Sequence, residues 1–314
     1  MELENLKQNK DINIIDIIKI IWKRKFSIIA LSLMISVFNV FYVLSLSNIY
    51  TSEAVLASNE DTQSTLSAFS NMGGLASLAG IDIGVGSSDY NIAIRSLSSR
   101  QFLKDFIEKR DLFLDIFAVS SFDLETKVTL YDPTIYDAST STWIRKVQKP
   151  YLPKPSAYEV REVLLERLTI SMDNKSGFLF LTYTHPNPEF AANLLNMLII
   201  DINNYMKERD IAFYKRISLS LSNTIIGQDD KNLTDSIYKL IEQNEKKLAV
   251  AKASNEYSLK IIDKPIIPER KSYPFRSKMV ILMSLIGGLL STLIFIMYDY
   301  LKRIGIRNIT KNFK

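Results

Sequence analysis

Two uncharged, strongly hydrophobic runs lie one near each end of the chain. Phe26–Leu46 and Met279–Tyr298 contain no Asp, Glu, Lys or Arg. As helices rising about 1.5 Å per residue, both can cross a hydrocarbon core about 30 Å thick. The first run is too long for the apolar part of a signal peptide and lacks a small-residue cleavage site before Asn48. We therefore predict two transmembrane helices with a domain between them.

The basic residues around these runs predict the orientation of the chain. Six of them precede the first run, and no Lys or Arg follows it until Arg95. Such an excess marks the cytoplasmic side of a span. The second run has basic residues on both sides, so they do not indicate its orientation. A chain that has crossed the membrane once, however, must cross back. Both termini are therefore predicted to be cytoplasmic, with the middle of the chain outside.

Between the two runs, the pattern predicts strands that form one sheet. Asn48–Ser58 alternates roughly and is expected to be a strand leaving the membrane. Leu168–Met172 and Phe178–Thr184 flank the turn sequence DNKSG, which is typical of a hairpin. Tyr257–Asp263 alternates again and is expected to pair beside the first strand.

The helical pattern predicts two shorter and two long helices. Asp89–Asp111 is expected to be one helix, and Ser156 with Glu159 fits a capping box that opens another. Asn187 and Pro188 suit the first positions of a long helix, whose near-heptad apolar spacing continues to Gly227. Asn232–Ser254 follows as a second long helix. The first of them is long enough that it should project beyond the domain or pack in a coiled-coil manner, and the two are expected to form an antiparallel hairpin that points away from the membrane.

Other stretches carry less specific signals. Residues 11–25 fit a short amphipathic helix on the cytoplasmic face, which either extends the first span or docks a partner. Thr62–Ser88 is rich in Ser and Gly but has no phosphate-binding motif, so we expect a flexible loop. Leu112–Tyr151 predicts turns at Tyr131–Pro133 and Lys149–Pro150, and a short helical or strand piece at Thr142–Ile144.

Composition argues against several kinds of chemistry. The chain has 314 residues, no cysteine and a single histidine, His185. A transition-metal site or a histidine-based triad is therefore not expected, and no nucleotide-binding motif is present. The formal net charge is +5, but the basic excess lies at the flanks of the apolar runs, which favours membrane anchoring over nucleic-acid binding. We expect a protein that is not an enzyme and has no cofactor or metal.

The remaining signals concern the membrane-proximal part of the chain. Three prolines prevent a continuous helix in the collar before the second run, and two pairs of small residues spaced by four positions allow close helix packing in lipid. Ser32 and Ser36 offer the same in the first run. The candidate residues for this motif and for packing of the spans are Pro265, Pro268, Pro274, Ser284, Gly287, Gly288 and Ser291.

These features together resemble the Wzz-type polysaccharide co-polymerases, the bacterial chain-length determinants. The resemblance extends over essentially the whole chain: IDIIKIIWKRK before the first span, NIYTSEAVL after it, the Gly-rich loop, PNPEFAANLLN, and the closing strand with the collar, YSLKIIDKPIIPERKSYPFR, before a Gly-containing span. The collar prolines with Gly287 and Gly288 are the most specific part. The chain departs from the family where Tyr273-Pro274-Phe275-Arg276 replaces the usual Ser-Pro-Lys.

The resemblance implies an α+β inner-membrane protein in which two transmembrane helices flank a periplasmic α/β base with a long protruding helical hairpin. It implies a homo-oligomer that contacts membrane lipids and acts with a membrane polysaccharide polymerase on lipid-linked polysaccharide. The expected segments are a cytoplasmic segment (1–25), a first span (26–46), a periplasmic domain (47–278), a second span (279–298) and a cytoplasmic tail (299–314). Within the domain, the base covers 47–186 and 256–264, the long helices 187–255 and the collar 265–278.

Two functions stay open on the sequence alone. The first is a non-enzymatic scaffold that controls the chain length of lipopolysaccharide O-antigen. The second is a kinase-less co-polymerase for capsule or exopolysaccharide synthesis and export, working with a separate tyrosine kinase. The basic tail Asp299–Lys314 does not separate them, because simple anchoring predicts the same composition.

Overall fold

A computed structural model describes the backbone of residues 14–59, 89–173, 175–225 and 230–311, and the side chains of 18–59, 90–173, 175–225 and 230–302. The Ser/Gly-rich stretch 62–88 and the joint 227–229, for which a loop and a helix break were predicted, lie outside the described residues. The chain divides into two compact units. One comprises Met1–Ser47 with Tyr273–Lys314, and the other comprises Asn48–Ser272.

The described residues contain helices and strands in the following order. They are α1 (Ile14–Lys23), α2 (Lys25–Ser45), β1 (Tyr50–Ser58), α3 (Asp89–Ser96), α4 (Arg100–Arg110), α5 (Phe113–Phe117), β2 (Val119–Asp123), β3 (Val128–Tyr131), β4 (Tyr136–Asp137), β5 (Thr142–Trp143), α6 (Ala157–Arg167), β6 (Leu168–Met172), β7 (Leu179–His185), α7 (Pro188–Ile225), α8 (Lys231–Ala253), β8 (Leu259–Asp263) and α9 (Arg276–Lys311). The expectation of a mixed helix and sheet protein with two apolar helices is confirmed.

The first unit contains both apolar helices. Lys25–Ser45 and Arg276–Lys302 are long and apolar enough to cross a membrane, by length and composition. Most of their large apolar side chains are exposed on the protein surface, as in Phe38 and Leu289. A soluble domain rarely exposes so much contiguous apolar surface, and both helices have the length and composition that crossing a bilayer requires.

The second unit is built on a four-stranded antiparallel sheet in the order β6-β7-β1-β8. The central strand β1 pairs with β7 from Tyr50, opposite His185, to Leu56, opposite Leu179. On its other side, β1 pairs with β8, with a bulge after Val55. The hairpin β6–β7 and the return of β8 beside β1 have the pairings that the alternating pattern predicted.

The core lies between this sheet and the first half of α7. Alternate residues of β7 point into it, so that Leu179, Leu181 and Tyr183 are fully buried. Leu194 and Leu198 of α7 are also fully buried in the same cluster. Because buried positions recur every second residue in the strand and every third or fourth in the helix, one apolar layer joins the two.

Local side-chain caps fix where the helices begin. Ser156 and Glu159 form the predicted capping box at the start of α6. The Asn187 side chain accepts hydrogen bonds from the backbone N–H groups of Glu189 and Phe190, at 2.9 and 3.1 Å, and thereby caps α7. These caps satisfy N–H groups that the first turn of a helix leaves without partners.

The prediction of a single helix over residues 89–111 is wrong. The chain forms α3 and α4 with a break at Leu97–Ser99. The Ser99 hydroxyl accepts a hydrogen bond from the Phe102 N–H and so starts a new helix. Serine competes with helical hydrogen bonding in this way, and the apolar spacing on either side of the break concealed it.

The stretch for which the sequence predicted turns and one short helical or strand piece, residues 112–151, folds into α5 and two short strand pairs, with Thr142–Trp143 as strand β5. Ring contacts hold it together, with Trp143 at 6.3 Å from Phe117 and 5.3 Å from Tyr136 between ring centroids. Arg145 connects it to α6 through a 2.7 Å bond to Glu159. The packing of aromatic rings, rather than a regular pattern, therefore stabilises this part of the unit.

The second half of α7 packs against α8. Asn244 of α8 is buried and donates to the Tyr214 carbonyl of α7 at 2.6 Å. One turn further along α7, Ser218 donates to Glu245 at 2.7 Å. Near the other end of the contact, Lys207 reaches the carbonyl of Ser254 just after α8. From the Lys207–Ser254 contact to the Tyr214–Asn244 contact, residue numbers rise along α7 and fall toward the start of α8, so the two helices run antiparallel.

Candidate functional site

The candidate membrane-proximal residues begin with the glycines of α9, which lie against α2 of the same chain. An ideal Cβ atom on Gly287 would stand 2.7 Å from Cγ2 of Ile35. One on Gly288 would stand 3.4 Å from the hydroxyl oxygen of Ser32. Real Cβ atoms do not approach other atoms as closely as 2.7 Å, so Gly287 allows a backbone approach that no other residue permits.

The serines of this motif contribute to the same seam. Ser291 is fully buried, and its hydroxyl donates to the Gly288 carbonyl at 2.8 Å. Ser36 of α2 bonds in the same way to the Ser32 carbonyl at 2.9 Å. Ser284 is half-buried one turn before Gly288. Each buried hydroxyl thus has a backbone partner within its own helix, which makes its burial in an apolar seam tolerable.

Arginine side chains bridge α2 and α9 at both ends of the seam. At one end, Arg24 lies 2.9 Å from the Asp299 carboxylate, and its guanidinium carbon lies 5.3 Å from the centroid of the Tyr298 ring. At the other end, Arg276 donates to the carbonyl of Leu46, the C-terminal cap of α2, at 3.1 Å. That carbonyl has no partner within its own helix, so the arginine satisfies it and complements the negative end of the helix dipole.

The collar before α9 has no helix between residues 264 and 275. In the second unit it lies along the beginning of β1. The buried Ser52 hydroxyl donates to the Ile266 carbonyl at 2.8 Å, and the Ser272 N–H donates to the Ile49 carbonyl at 2.8 Å. Pro265 and Pro268 are half-buried on either side of Ile266. Proline has no N–H and a fixed φ, so these residues favour an extended strap over a helix.

Pro274 belongs to the first unit and precedes the first residue of α9 by two positions. A proline just before a helix costs no hydrogen bond, because the first N–H groups have no intrahelical partner. The collar prolines therefore fit a segment that is extended as far as Pro274 and helical after it. What the candidate residues do for function stays a prediction.

The side chains described here do not form an arrangement for metal chemistry. Within residues 18–59, 90–173, 175–225 and 230–302, no three His, Asp or Glu side chains converge as metal ligands. His185 is 1% exposed, accepts from the Asn187 N–H at 3.1 Å, and bonds through Nε2 to the Asp115 carbonyl at 2.9 Å. Burial lowers the pKa of His185 to about 4, so its ring is neutral and acts as a structural bridge.

Sequence reasoning missed the arginine contacts at the ends of the seam. Arg24 was counted only as one of several basic residues flanking the first span, and Asp299 only as the start of the tail. One signal could have pointed to the pair. Asp299 follows an apolar run without interruption, and an acidic residue at such a position generally has a basic partner.

Comparison with known proteins supports the class that the sequence suggested. Residues 10–110 match the family model of the Wzz chain length determinant proteins. This match confirms the resemblance to the Wzz-type polysaccharide co-polymerases, a family associated with the inner membrane. No curated protein matches the chain.

Two solved structures are similar to the chain at low sequence identity. One, described as a full-length bacterial polysaccharide co-polymerase, is 14% identical with a TM-score of 0.40, and the alignment covers 93% of this chain and 99% of that one. The other, a fragment of the polysaccharide co-polymerase WzzB from Salmonella Typhimurium, is 16% identical with a TM-score of 0.27, covering 72% of this chain and 100% of that one. Both TM-scores lie below 0.5, so the class rests on the match over residues 10–110.

Proposed function

We propose that this chain is a non-enzymatic regulator of the chain length of surface polysaccharide, specifically lipopolysaccharide O-antigen. It works as a homo-oligomeric scaffold beside a membrane polysaccharide polymerase that extends lipid-linked polysaccharide. The match of residues 10–110 to the chain length determinant family carries this proposal. The two apolar helices support it, because a partner of a membrane polymerase must itself be held at the membrane.

The scaffold role is also favoured by the kind of contacts in the chain. Buried polar groups such as the neutral His185 ring and the Ser291 hydroxyl bond to backbone atoms of the same chain. We propose that the protein acts by shape and association, with neither cofactor nor metal.

We further propose that Asn48–Ser272 lies in the periplasm and that both termini lie in the cytoplasm. The α/β base would then stand next to the membrane, with the helix pair α7–α8 protruding from it. The basic residues before α2 support this orientation. The glycines of α9 are proposed to hold the two spans together within each subunit, and the collar prolines to keep the segment before α9 extended.

Cysteine labelling tests this topology, because the chain has no native cysteine. We expect a membrane-impermeant maleimide to label Thr169→Cys in intact spheroplasts and to label Lys23→Cys only after the membrane is opened. Both side chains are exposed, so burial does not protect either one. Labelling of Lys23→Cys in intact spheroplasts would contradict the proposed orientation.

Deletion of the gene tests the function directly. We expect the strain that lacks it to lose a clustered range of polysaccharide lengths and to show a ladder that decays steadily from short chains. Restoring the gene on a plasmid should bring the cluster back, and the empty plasmid is the control. The measurement is gel electrophoresis of extracted surface polysaccharide.

Two outcomes would contradict the proposal. An unchanged ladder after deletion would mean that the chain does not control length. Disappearance of all surface polymer would mean that synthesis or export depends on it, which is the result that a kinase-coupled export component predicts.

A further inference from the structure

Residues 254–259 lead the chain from the end of α8 back to the sheet, and we call them the return segment. One face of α7 binds this segment through buried polar groups. Asn203, Lys207 and Asp210 are spaced by four and three residues, so their side chains lie on one face of the helix. Each bonds to the return segment, and we call these three residues with residues 254–259 the polar clasp. It connects three elements of the second unit, namely α7, the end of α8 and the start of β8.

Asn203 uses its whole side-chain amide in the polar clasp. Its oxygen accepts from the N–H groups of Ser258 and Leu259, at 2.8 and 2.9 Å. Its nitrogen donates to the Leu259 carbonyl at 2.9 Å and to the Ile199 carbonyl at 3.2 Å. An amide side chain offers two donors and two acceptor sites, so every one of them is used, and the side chain is 3% exposed.

The other two α7 side chains anchor the segment before β8. Lys207 donates to the carbonyl of Ser254, the C-terminal cap of α8, at 2.9 Å. Asp210 accepts from the buried Tyr257 hydroxyl at 2.8 Å and also from Arg209, its neighbour in the chain. The lysine satisfies a terminal carbonyl of α8, while the aspartate fixes the position of a large buried ring.

A further residue binds the same segment from the opposite side. The Asn59 N–H, just beyond β1, donates to the Ser258 carbonyl at 3.3 Å, and its side-chain amide donates to the Glu256 carbonyl. The return segment is therefore bonded by both α7 and the end of β1. Neither its backbone nor its Tyr257 side chain can shift without breaking several buried hydrogen bonds.

Hydrogen bonds of this kind are directional, so they can select one register of α8 on α7. The apolar seam between the two helices leaves that register undetermined. Leu221, Ile237 and Leu248 are buried near that seam, and apolar side chains pack almost equally well after a slip of one turn. Buried polar residues select one register instead, as a single buried Asn does in a coiled coil. Asn244 selects the register within the seam, and the polar clasp selects it at the end of the seam that is nearest the sheet.

We propose that the polar clasp is a positioning device that sets the register of α8 on α7 and the point where the helix pair joins the sheet. This register sets the preferred polysaccharide length, a step that rests on the proposed function. Asn203, Lys207 and Asp210 are positioning residues: their side chains bond to the return segment, and they act by fixing the shape that the helix pair presents.

The positional part is tested on the full chain in detergent. Spin labels on Thr169→Cys of β6 and Lys239→Cys of α8 report the distance between sheet and helix, since both sites are exposed and the chain has no other cysteine. We expect one narrow distance peak in the parent protein. Asn203→Leu, which removes four hydrogen bonds, should broaden or shift that peak by about one helical turn, or about 5 Å.

The functional part uses milder, matched variants in the deletion strain. Lys207→Met keeps the aliphatic stem and loses the donor to Ser254, whereas Lys207→Arg keeps a donor. Glu208→Gln changes an exposed neighbour on the same helix outside the polar clasp. At equal amounts of protein in the membrane, we expect Lys207→Met to shift or broaden the length cluster, and Lys207→Arg and Glu208→Gln to leave it unchanged.

The possible outcomes separate this inference from the proposed function. If the parent gene fails to restore the cluster, the proposed function is wrong, and the label distances still test the clasp. If the parent gene restores it and Lys207→Met and Asn203→Leu give the same cluster as the parent, the link to length is overturned. An unaltered distance peak in folded Asn203→Leu protein overturns the positioning role itself.

Discussion

Gly287→Ala is expected to force α2 and α9 apart and to destabilise their packing by about 1–3 kcal/mol, the usual cost of an overfilled contact. The new methyl group would stand 2.7 Å from Cγ2 of Ile35. Isoleucine is branched at Cβ and has essentially one χ1 rotamer in a helix, so this methyl group cannot rotate away. The helices must separate instead, which also strains the Arg24–Asp299 contact at one end of the seam.

Gly288→Ala is the matched control for this substitution. It adds the same methyl group to the same helix, but the nearest atom is the Ser32 hydroxyl oxygen at 3.4 Å. Both variants gain the same helix propensity of about 1 kcal/mol over glycine, so the difference between them isolates the contact with Ile35. We expect Gly288→Ala to be neutral or stabilising.

A second substitution should restore the close approach. Ile35→Ala removes Cγ2 and leaves Cβ of residue 35 at 3.4 Å from the new methyl group, an ordinary contact. The pair Gly287→Ala with Ile35→Ala is therefore expected to be more stable than the sum of its single variants predicts. The measurement is unfolding of the detergent-solubilised full chain by titration with SDS. Equal stabilities for Gly287→Ala and Gly288→Ala would show that the tight contact is absent in solution.

The sequence predicted those parts of the fold in which one regular pattern dominates. The alternation in β6 and β7, the turn between them and the caps at Ser156 and Asn187 each specify their element locally. The same holds for the two apolar helices, because the two runs without charged residues are long enough to cross a bilayer as helices.

The remaining elements depend on contacts between residues that are distant in the sequence. The break between α3 and α4 is set by one serine hydroxyl, which the apolar spacing around it conceals. Residues 112–151 are organised by ring packing around Trp143, and rings separated by many residues leave no periodic signal.

The candidate site divides in the same way. Its small residues and prolines are visible in the sequence, because glycine and proline restrict the backbone wherever they occur. The sequence did not determine whether the small residues meet a helix of the same chain or of another copy. The structure places Gly287 and Gly288 against Ile35 and Ser32 of the same chain.

Acidification is expected to destabilise the unit Asn48–Ser272 through His185. Burial lowers the folded-state pKa of His185 to about 4, against an ordinary value of 6.5. Between these values the unfolded chain binds a proton that the folded chain does not, so the free energy of unfolding decreases as the pH falls. The loss reaches about 3 kcal/mol at pH 4, of which about 2 kcal/mol is already lost at pH 5.

Neighbouring charged groups act on this titration in known directions. The positive charge of Arg167 also lowers the pKa of His185, whereas the hydrogen bond between His185 and the Asp115 backbone raises that pKa. The pKa of the Asp115 carboxyl is itself raised, by burial and then by the charge of Asp111. A raised carboxyl pKa makes the folded state bind more protons than the unfolded state, so Asp115 partly offsets the histidine as the pH falls.

His185→Gln isolates the histidine contribution, because His185 is the only histidine and glutamine does not titrate. Urea unfolding of the full chain in detergent, followed by Trp143 fluorescence in a Trp22→Phe background, gives the free energy of unfolding at each pH. The contributions of Asp115 and the other carboxyl groups are common to both proteins and largely cancel in the difference. The parent should lose about 3 kcal/mol more than His185→Gln between pH 7 and pH 4. Parallel curves would mean that the pKa of His185 in the folded protein is not lowered from its ordinary value, and the assignment of a buried ring that stays neutral down to about pH 4 would then be wrong.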